Sequence, residues 1–225
     1  MNKADLSHIK LVIFDWDGTL MDSVDKIVGC MQAASCDAGV ATPSEQEVKE
    51  IIGLGLKESI QQLFPQENDD MHGVITEQYR QHYLFHSEIK TELFVGAYDT
   101  LAQLKEAGYV LAVATGKARR GLDRVLGDTG VGQFFDTTRC SDETQSKPHP
   151  QMLHEIMDSL AIPAQATLMV GDTEFDLKMA SAAGVDSLAV SYGVHKRERL
   201  LSHNPVACID DIREITSLLR DFKVA

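Results

Sequence analysis

Ile9-Lys10-Leu11-Val12-Ile13-Phe14-Asp15-Trp16-Asp17-Gly18-Thr19-Leu20 is the stretch on which the reading of this chain turns. Its first half is a short, β-branched and nearly continuous apolar run, the pattern of a strand buried on both faces of a parallel sheet. The run stops at Asp15. Asp15 and Asp17 then stand two apart at the strand's end, a spacing that can send both carboxylates to one side, while Gly18 lets the backbone turn away. Aspartates at such a boundary also serve as turn formers, so the pair by itself decides no chemistry.

Working outward, similar apolar runs recur at Tyr109 to Ala114, around Asp136 to Cys140, and at Thr167 to Val170, Ser187 to Ser191 and Val206 to Ile209. Helical patterns lie between them. Tyr98 to Ala107 stops at Gly108, Pro150 to Leu160 opens with a proline suited to a first turn, and Phe175 to Ala183 stops at Gly184. This alternation from about Val95 onward predicts an α/β fold with a doubly wound parallel sheet, in which ligands bind beyond the carboxyl ends of the strands. Ser23 to about Glu88 departs from it, with Val24, Ile27, Val28, Met31 and Ala34 at helical spacing and no strand-like run. We therefore expect residues 1–20 and 90–225 to form the core, and residues 21–89 an inserted all-helical cap over the sheet's carboxyl edge, placed to exclude water or select substrates.

With 225 residues, 44% of them hydrophobic and 24% charged, the chain has the composition of a globular domain large enough to bury a core. The formal net charge of −13 argues against nucleic acid or an anionic membrane as partner, since both must be met by Lys or Arg. Cys30, Cys36, Cys140 and Cys208 show no Cys-x-x-Cys spacing and suggest neither a zinc knuckle nor a disulfide framework. Met1 to Asp5 carries no visible secretion signal, and no run approaches the ~18 apolar residues of a membrane span. A cytoplasmic protein is the expectation.

The residues after each strand supply the candidate chemistry. Thr115-Gly116-Lys117 places a hydroxyl and backbone N–H groups where they can hold phosphoryl oxygens. Lys147-Pro148 puts a point charge at the same edge. Gly171-Asp172-Thr173-Glu174-Phe175-Asp176 offers carboxylates suited to a hard cation such as Mg²⁺, or alternatively an N-terminal helix cap. Each has a plain structural explanation alone. Together, four strand ends supply a carboxylate pair, a hydroxyl, a lysine and a second carboxylate pair in that order, which points to a site.

These residues resemble the haloacid dehalogenase superfamily, and within it the phosphatases that carry a helical cap between the first strand and a Rossmann-like core. The resemblance spans nearly the whole chain: Asp15-x-Asp17-Gly18-Thr19, Thr115, Lys147-Pro148 and Gly171-Asp172-Thr173-x-x-Asp176 match the four motifs in order. Trp16 stands where the family more often has phenylalanine or leucine, and should point into packing. Among the subgroups the chain looks most like phosphoglycolate phosphatase, and Gly53-Leu54-Gly55-Leu56-Lys57 resembles the substrate loop of such caps.

The resemblance implies hydrolysis of small phosphorylated metabolites. Asp15 would be the nucleophile, Asp17 the general acid and base, and Thr115, Gly116 and Lys147 the phosphate-binding groups. Mg²⁺ would be bound by the Asp15 side chain, the Asp17 main-chain carbonyl and Asp172, with Asp176 in the outer shell; Gly53, Gly55 and Lys57 would meet the substrate from the cap. An acid at Asp17 favours phosphate-ester chemistry over dehalogenation. It leaves open a sugar phosphomutase resembling β-phosphoglucomutase. A non-catalytic receiver module shares the aspartates, threonine and Lys-Pro, but has no place for the insertion or for Gly171-Asp172. Whether the protein is a monomer or a dimer is open.

Overall fold

The computed structural model describes residues 6–220; Met1 to Asp5, where no secretion signal was read, lies outside the described residues. In chain order the elements are β1 (Leu11–Phe14), β2 (Met21–Asp22), α1 (Val24–Asp37), α2 (Glu45–Lys49), α3 (Leu56–Leu63), α4 (Asp69–Gln81), a π-helical turn at His82–His86, β3 (Glu92–Leu93), α5 (Ala97–Glu106), β4 (Val110–Thr115), α6 (Arg119–Thr129), β5 (Thr137–Cys140), α7 (Gln151–Leu160), β6 (Thr167–Gly171), α8 (Glu174–Ala183), β7 (Asp186–Val190), α9 (Arg197–Leu201), β8 (Ala207–Ile209) and α10 (Glu214–Arg220).

Six strands form one parallel sheet in the order β5-β4-β1-β6-β7-β8. The central strand β1 pairs with β4 on one side, Phe14 opposite Val113, and with β6 on the other, Phe14 opposite Val170. Its unbroken apolar run follows from having two covered faces. Leu11 and Ile13 pack with Met152 and Ile156 of α7 and Met179 of α8, whereas Val12 and Phe14 pack with Leu101 of α5, Leu122 of α6 and Ile215 of α10. All four β1 residues are fully buried. The chain runs from β1 to β4 and β5 and then crosses to β6, so the order reverses beside β1 and opens a crevice at its carboxyl end.

Between β1 and α5 the chain leaves the sheet and returns through β2 and β3, which pair antiparallel with Met21 opposite Leu93. The helices α1 to α4 between them enclose a separate apolar cluster that includes Ile27, Met31, Val48, Ile52, Ile60 and Ile75. A capping box starts α2: Ser44 accepts from the Glu47 amide, and the Glu47 carboxylate accepts from the Ser44 amide. The two-residue pairing of β2 with β3 was not expected, because such a ladder is too short to show any periodicity. Helix α6 was also missed: it is strongly polar and buries only Leu122 and Val125. Among the described residues no helix is long and apolar enough to cross a membrane.

Phe14 marks the part of β1 on which both layers depend. Phe14→Ala should lower unfolding free energy by ~3–5 kcal/mol in urea titration. Val95→Ala, at a side chain 81% exposed, should stay within ~0.5 kcal/mol of the parent.

Candidate active site

The turn after β1 sets the site. The Asp15 amide donates to the Val170 carbonyl at 2.9 Å, which ties the first residue past β1 to β6. The Trp16 carbonyl then accepts from the amides of Leu20 and Met21, both at 3.0 Å, closing the loop, while the Trp16 side chain is buried in the core beneath it. Gly18 takes φ +82°, and a Cβ there would fall 2.2 Å from Asp172 Oδ2. On the other side a Cβ at Gly193 would lie 2.4 Å from the same oxygen. Asp172 thus sits in a slot that only two glycines leave open.

Asp15, Asp172 and Asp176 each offer a carboxylate oxygen within 4.8 Å of the others, and all three residues are buried. Their partners differ. Asp172 accepts from Thr19 Oγ1 at 2.9 Å and from the Val194 amide at 2.8 Å. Asp176 has both oxygens engaged, one by Lys147 Nζ at 2.7 Å and the other by the amide and hydroxyl of Thr173 in a capping box that starts α8. The helix-cap reading of this motif and the site reading therefore both hold, in different side chains. Lys147 Nζ lies 2.7 Å from Asp15 Oδ1 as an ion pair, and among the described residues no other group donates to the Asp15 carboxylate.

Burial, with the nearby charges of Asp176 and Asp172, raises the Asp15 carboxyl well above its ordinary range despite the opposing pull of Lys147. Burial and Asp176 push Asp172 up to about 7. Burial works to lower Lys147, but Asp15 and Asp176 overcome it and the ammonium is held in its charged form. One ammonium faces three buried carboxylates, and the raised Asp15 and Asp172 carboxyls register that imbalance. A cluster of buried carboxylate oxygens short of positive charge fits a hard divalent cation.

Asp17 faces a different set of groups. Ser23 Oγ donates to its Oδ1 at 2.6 Å, and Lys117 Nζ donates to Oδ1 and Oδ2 at 2.8 and 3.0 Å. The same ammonium donates to Tyr83 Oη of the π-helical turn at 2.8 Å, so it joins the core carboxylate to the helical insertion. Asp17 and Tyr83 overcome the effect of burial and raise Lys117. Thr115 ends β4 fully buried, its hydroxyl accepting from the Lys117 amide at 3.2 Å.

The glycine loop before α3 meets the core directly. A Cβ at Gly116 would lie 2.4 Å from the Leu54 carbonyl oxygen and 2.7 Å from that of Gly53. The Gly55 amide donates to Ser146 Oγ at 2.7 Å. Gly53, at φ +106°, lines a cavity of about 380 Å³ that also contains Asp15, Asp17, Gly116 and Lys117. Gly55 packs on the core outside that lining, and Lys57 is exposed and apart from it.

Of the residues that sequence reasoning left unassigned, Lys117 was reachable by the same strand-end logic that selected Thr115 and Gly116. Thr19 closes the first motif without a role of its own being assigned, and Ser23 carries no distinguishing pattern. Tyr83 lies in an irregular turn with no signal of its own. His195 was equally unmarked: its Nδ1 accepts from the Glu174 amide at 3.0 Å at the start of α8.

The comparisons with known proteins agree with this geometry. The family model of haloacid dehalogenase-like hydrolases matches residues 12–190, from β1 through β7. "Probable phosphatase IndB" of Dickeya dadantii is 33% identical over 211 residues, covering 91% of this chain and 91% of the relative. A phosphoglycolate phosphatase of Aliivibrio fischeri is 29% identical over 219 residues, covering 94% and 96%. The crystal structure of a predicted phosphoglycolate phosphatase from Haemophilus somnus superposes with a TM-score of 0.85 at 25% identity, over 94% of this chain and 98% of that one. The match to the family model spans most of the chain and the similarity to the relatives runs along almost its full length, so the chain belongs to the haloacid dehalogenase-like hydrolases.

Proposed function

We propose that the protein is a Mg²⁺-dependent phosphatase that hydrolyses small phosphate monoesters through an aspartyl phosphate on Asp15, in the manner of phosphoglycolate phosphatase. The observation that carries this reading is the contrast between the two aspartates of the β1 turn. The Asp15 carboxylate meets only the Lys147 ammonium and keeps an oxygen without a partner, whereas Asp17 lines the same cavity held by Ser23 and Lys117. A bare oxygen suits a nucleophile; a positioned carboxylate suits proton transfer. The names of the relatives support the same class.

In this reading the Asp15 and Asp172 side chains and the Asp17 main-chain carbonyl would hold Mg²⁺, which when bound would supply positive charge against the phosphoryl oxygens. Asp176 stands in the outer shell, its oxygens already committed to Lys147 and Thr173. Asp15 attacks phosphorus in line as the ester oxygen leaves, and Asp17 delivers a proton to that oxygen. Asp17 then takes a proton from the water that cleaves the acyl phosphate, restoring Asp15 and releasing phosphate. Lys147 keeps Asp15 in place, and Thr115 and Gly116 bound the phosphoryl side. Segment 21–89 serves as the cap, with the Gly53 to Gly55 loop seated on Gly116 and Ser146. Four free cysteines fit a reducing compartment, in keeping with a cytoplasmic enzyme.

Asp15→Asn should abolish both phosphate release and any trapped phosphoenzyme, while Asp17→Asn should slow release by ~10²-fold or more. Parental turnover by purified Asp15→Asn would end the assignment. Lys147→Ala should lose activity and also cost ~3–5 kcal/mol in stability, because it leaves Asp15 and Asp176 buried without their counter-charge.

The ties from Lys117 to Asp17 and Tyr83 give a separate expectation. Tyr83→Phe and Lys117→Met should slow alkyl phosphates about tenfold more than 4-nitrophenyl phosphate, whose leaving group needs little proton assistance. Equal losses on both esters would mean that Lys117 does not position the acid.

Asp172, raised from its ordinary 3.8 to about 7, binds more protons in the folded than in the unfolded state. Its penalty on the cation-free fold is absent below pH 3.8, grows toward pH 7 and is complete above it. Mg²⁺ relieves that penalty, so its rise in melting temperature should be larger at pH 8 than at pH 5. A shift independent of pH, measured by differential scanning fluorimetry, would contradict cation binding at these carboxylates.

A further inference from the structure

The cavity above Asp15 and Asp17 constrains the alcohol part of the substrate, an inference that rests on the phosphatase reading. A cavity of ~150 Å³ holds one benzene, so by that ratio about 380 Å³ takes roughly 15 non-hydrogen atoms, of which a phosphoryl group fills only about a third. An ester as small as 2-phosphoglycolate would leave much of the wall without contacts.

That wall is apolar. Ile27, Met31, Ile51, Ile52 and Leu54 line it together with Tyr79, whose ring stacks on Tyr83 with centroids 5.7 Å apart. The cations that share the cavity are either committed to partners or exposed to solvent. Lys117 is held by Asp17 and Tyr83; Arg80 and Arg120 are exposed, and Glu77 and Asp142 line the same cavity. Lys57 of the glycine loop points to solvent, outside the lining. A carboxylate on the alcohol would therefore be desolvated against Ile and Met side chains with no buried positive partner, at a substantial cost.

We infer that the substrate is the phosphate monoester of an uncharged alcohol bearing an apolar ring, with the ring seated on the cap wall formed by Ile27, Met31, Ile52 and Tyr79. The hydrophobic gain from covering that wall selects the ester, and the charged groups act only on the phosphoryl end.

The test measures kcat/KM with Mg²⁺ for 2-phenylethyl phosphate, 2-phosphoglycolate and glucose 6-phosphate. All three are esters of alkyl alcohols, so leaving-group acidity does not set the ranking. The expected result is a preference of tenfold or more for 2-phenylethyl phosphate over both others. A preference for 2-phosphoglycolate, or equality with it, overturns the inference and leaves the phosphatase reading standing. A preference for glucose 6-phosphate overturns the apolar requirement in the same way. Phosphate release from none of them, nor from 4-nitrophenyl phosphate, overturns the phosphatase reading and this inference with it. Leu56→Arg, at a half-buried position of the same lining, should shift the ratio of 2-phosphoglycolate to 2-phenylethyl phosphate upward by tenfold or more. An unchanged ratio in a folded variant also counts against the inference, and the ratio in the parent protein decides alone if the variant does not fold.

Discussion

Charge balance among buried ionisable side chains is the constraint on which this molecule is organised. Asp15, Asp172 and Asp176 share a small region with the ammonium of Lys147, and all four side chains are buried. Carboxylates in such a place are tolerated only where each has donors or counter-charge. The fold supplies these from separate elements: Thr19 from the β1 turn, Val194 from the loop after β7, Thr173 from the start of α8, and Lys147 from the loop before α7. The parallel sheet matters here because it delivers several strand ends to one edge. Asp15 meets only the Lys147 ammonium and lines the cavity, so it is the member with an oxygen left to an incoming group.

The sheet was legible because burial on two faces writes a simple signal. Leu11 to Phe14, Val110 to Ala114 and Leu168 to Val170 are apolar throughout since each residue meets one helical layer or the other. Elements stabilised by few buried residues left no comparable trace. Helix α6 buries two side chains, and β2 with β3 exchanges hydrogen bonds over two residues. Within the site, Asp15, Asp17, Thr115, Lys147, Asp172 and Asp176 could be picked out because each directly follows, or is tied by spacing to, a recognisable strand or helix start. The donor set around them was not readable. Thr19 lies 153 positions from Asp172 and Lys117 lies 100 from Asp17, and nothing in local spacing encodes such pairings. Lys57 shows the opposite limit: a lysine beside a suggestive glycine loop was selected by sequence position, and the helix turns it to solvent.

The helical insertion and the sheet contribute unlike surfaces to the shared cavity. The sheet edge brings charge and hydrogen-bonding groups, and the insertion brings Ile27, Met31, Ile52 and the paired rings of Tyr79 and Tyr83. Several polar ties join the two. Lys117 reaches Tyr83, Gly55 reaches Ser146, and Arg199 bridges Glu50 of the insertion to Glu174 of α8. Reaction at the edge and recognition above it are thus separable in space, while Lys117 touches both.

The contact between the glycine loop and Gly116 is made backbone to backbone, with carbonyls of Gly53 and Leu54 lying where a side chain on Gly116 would have to go. A seat built from main chain carries no information about side-chain identity. The residues that roof the cavity can therefore be exchanged during divergence without re-fitting the backbone seat on which the loop rests. One catalytic edge can in this way serve a lineage whose members differ in what they admit, provided that the small residues at the seat are kept.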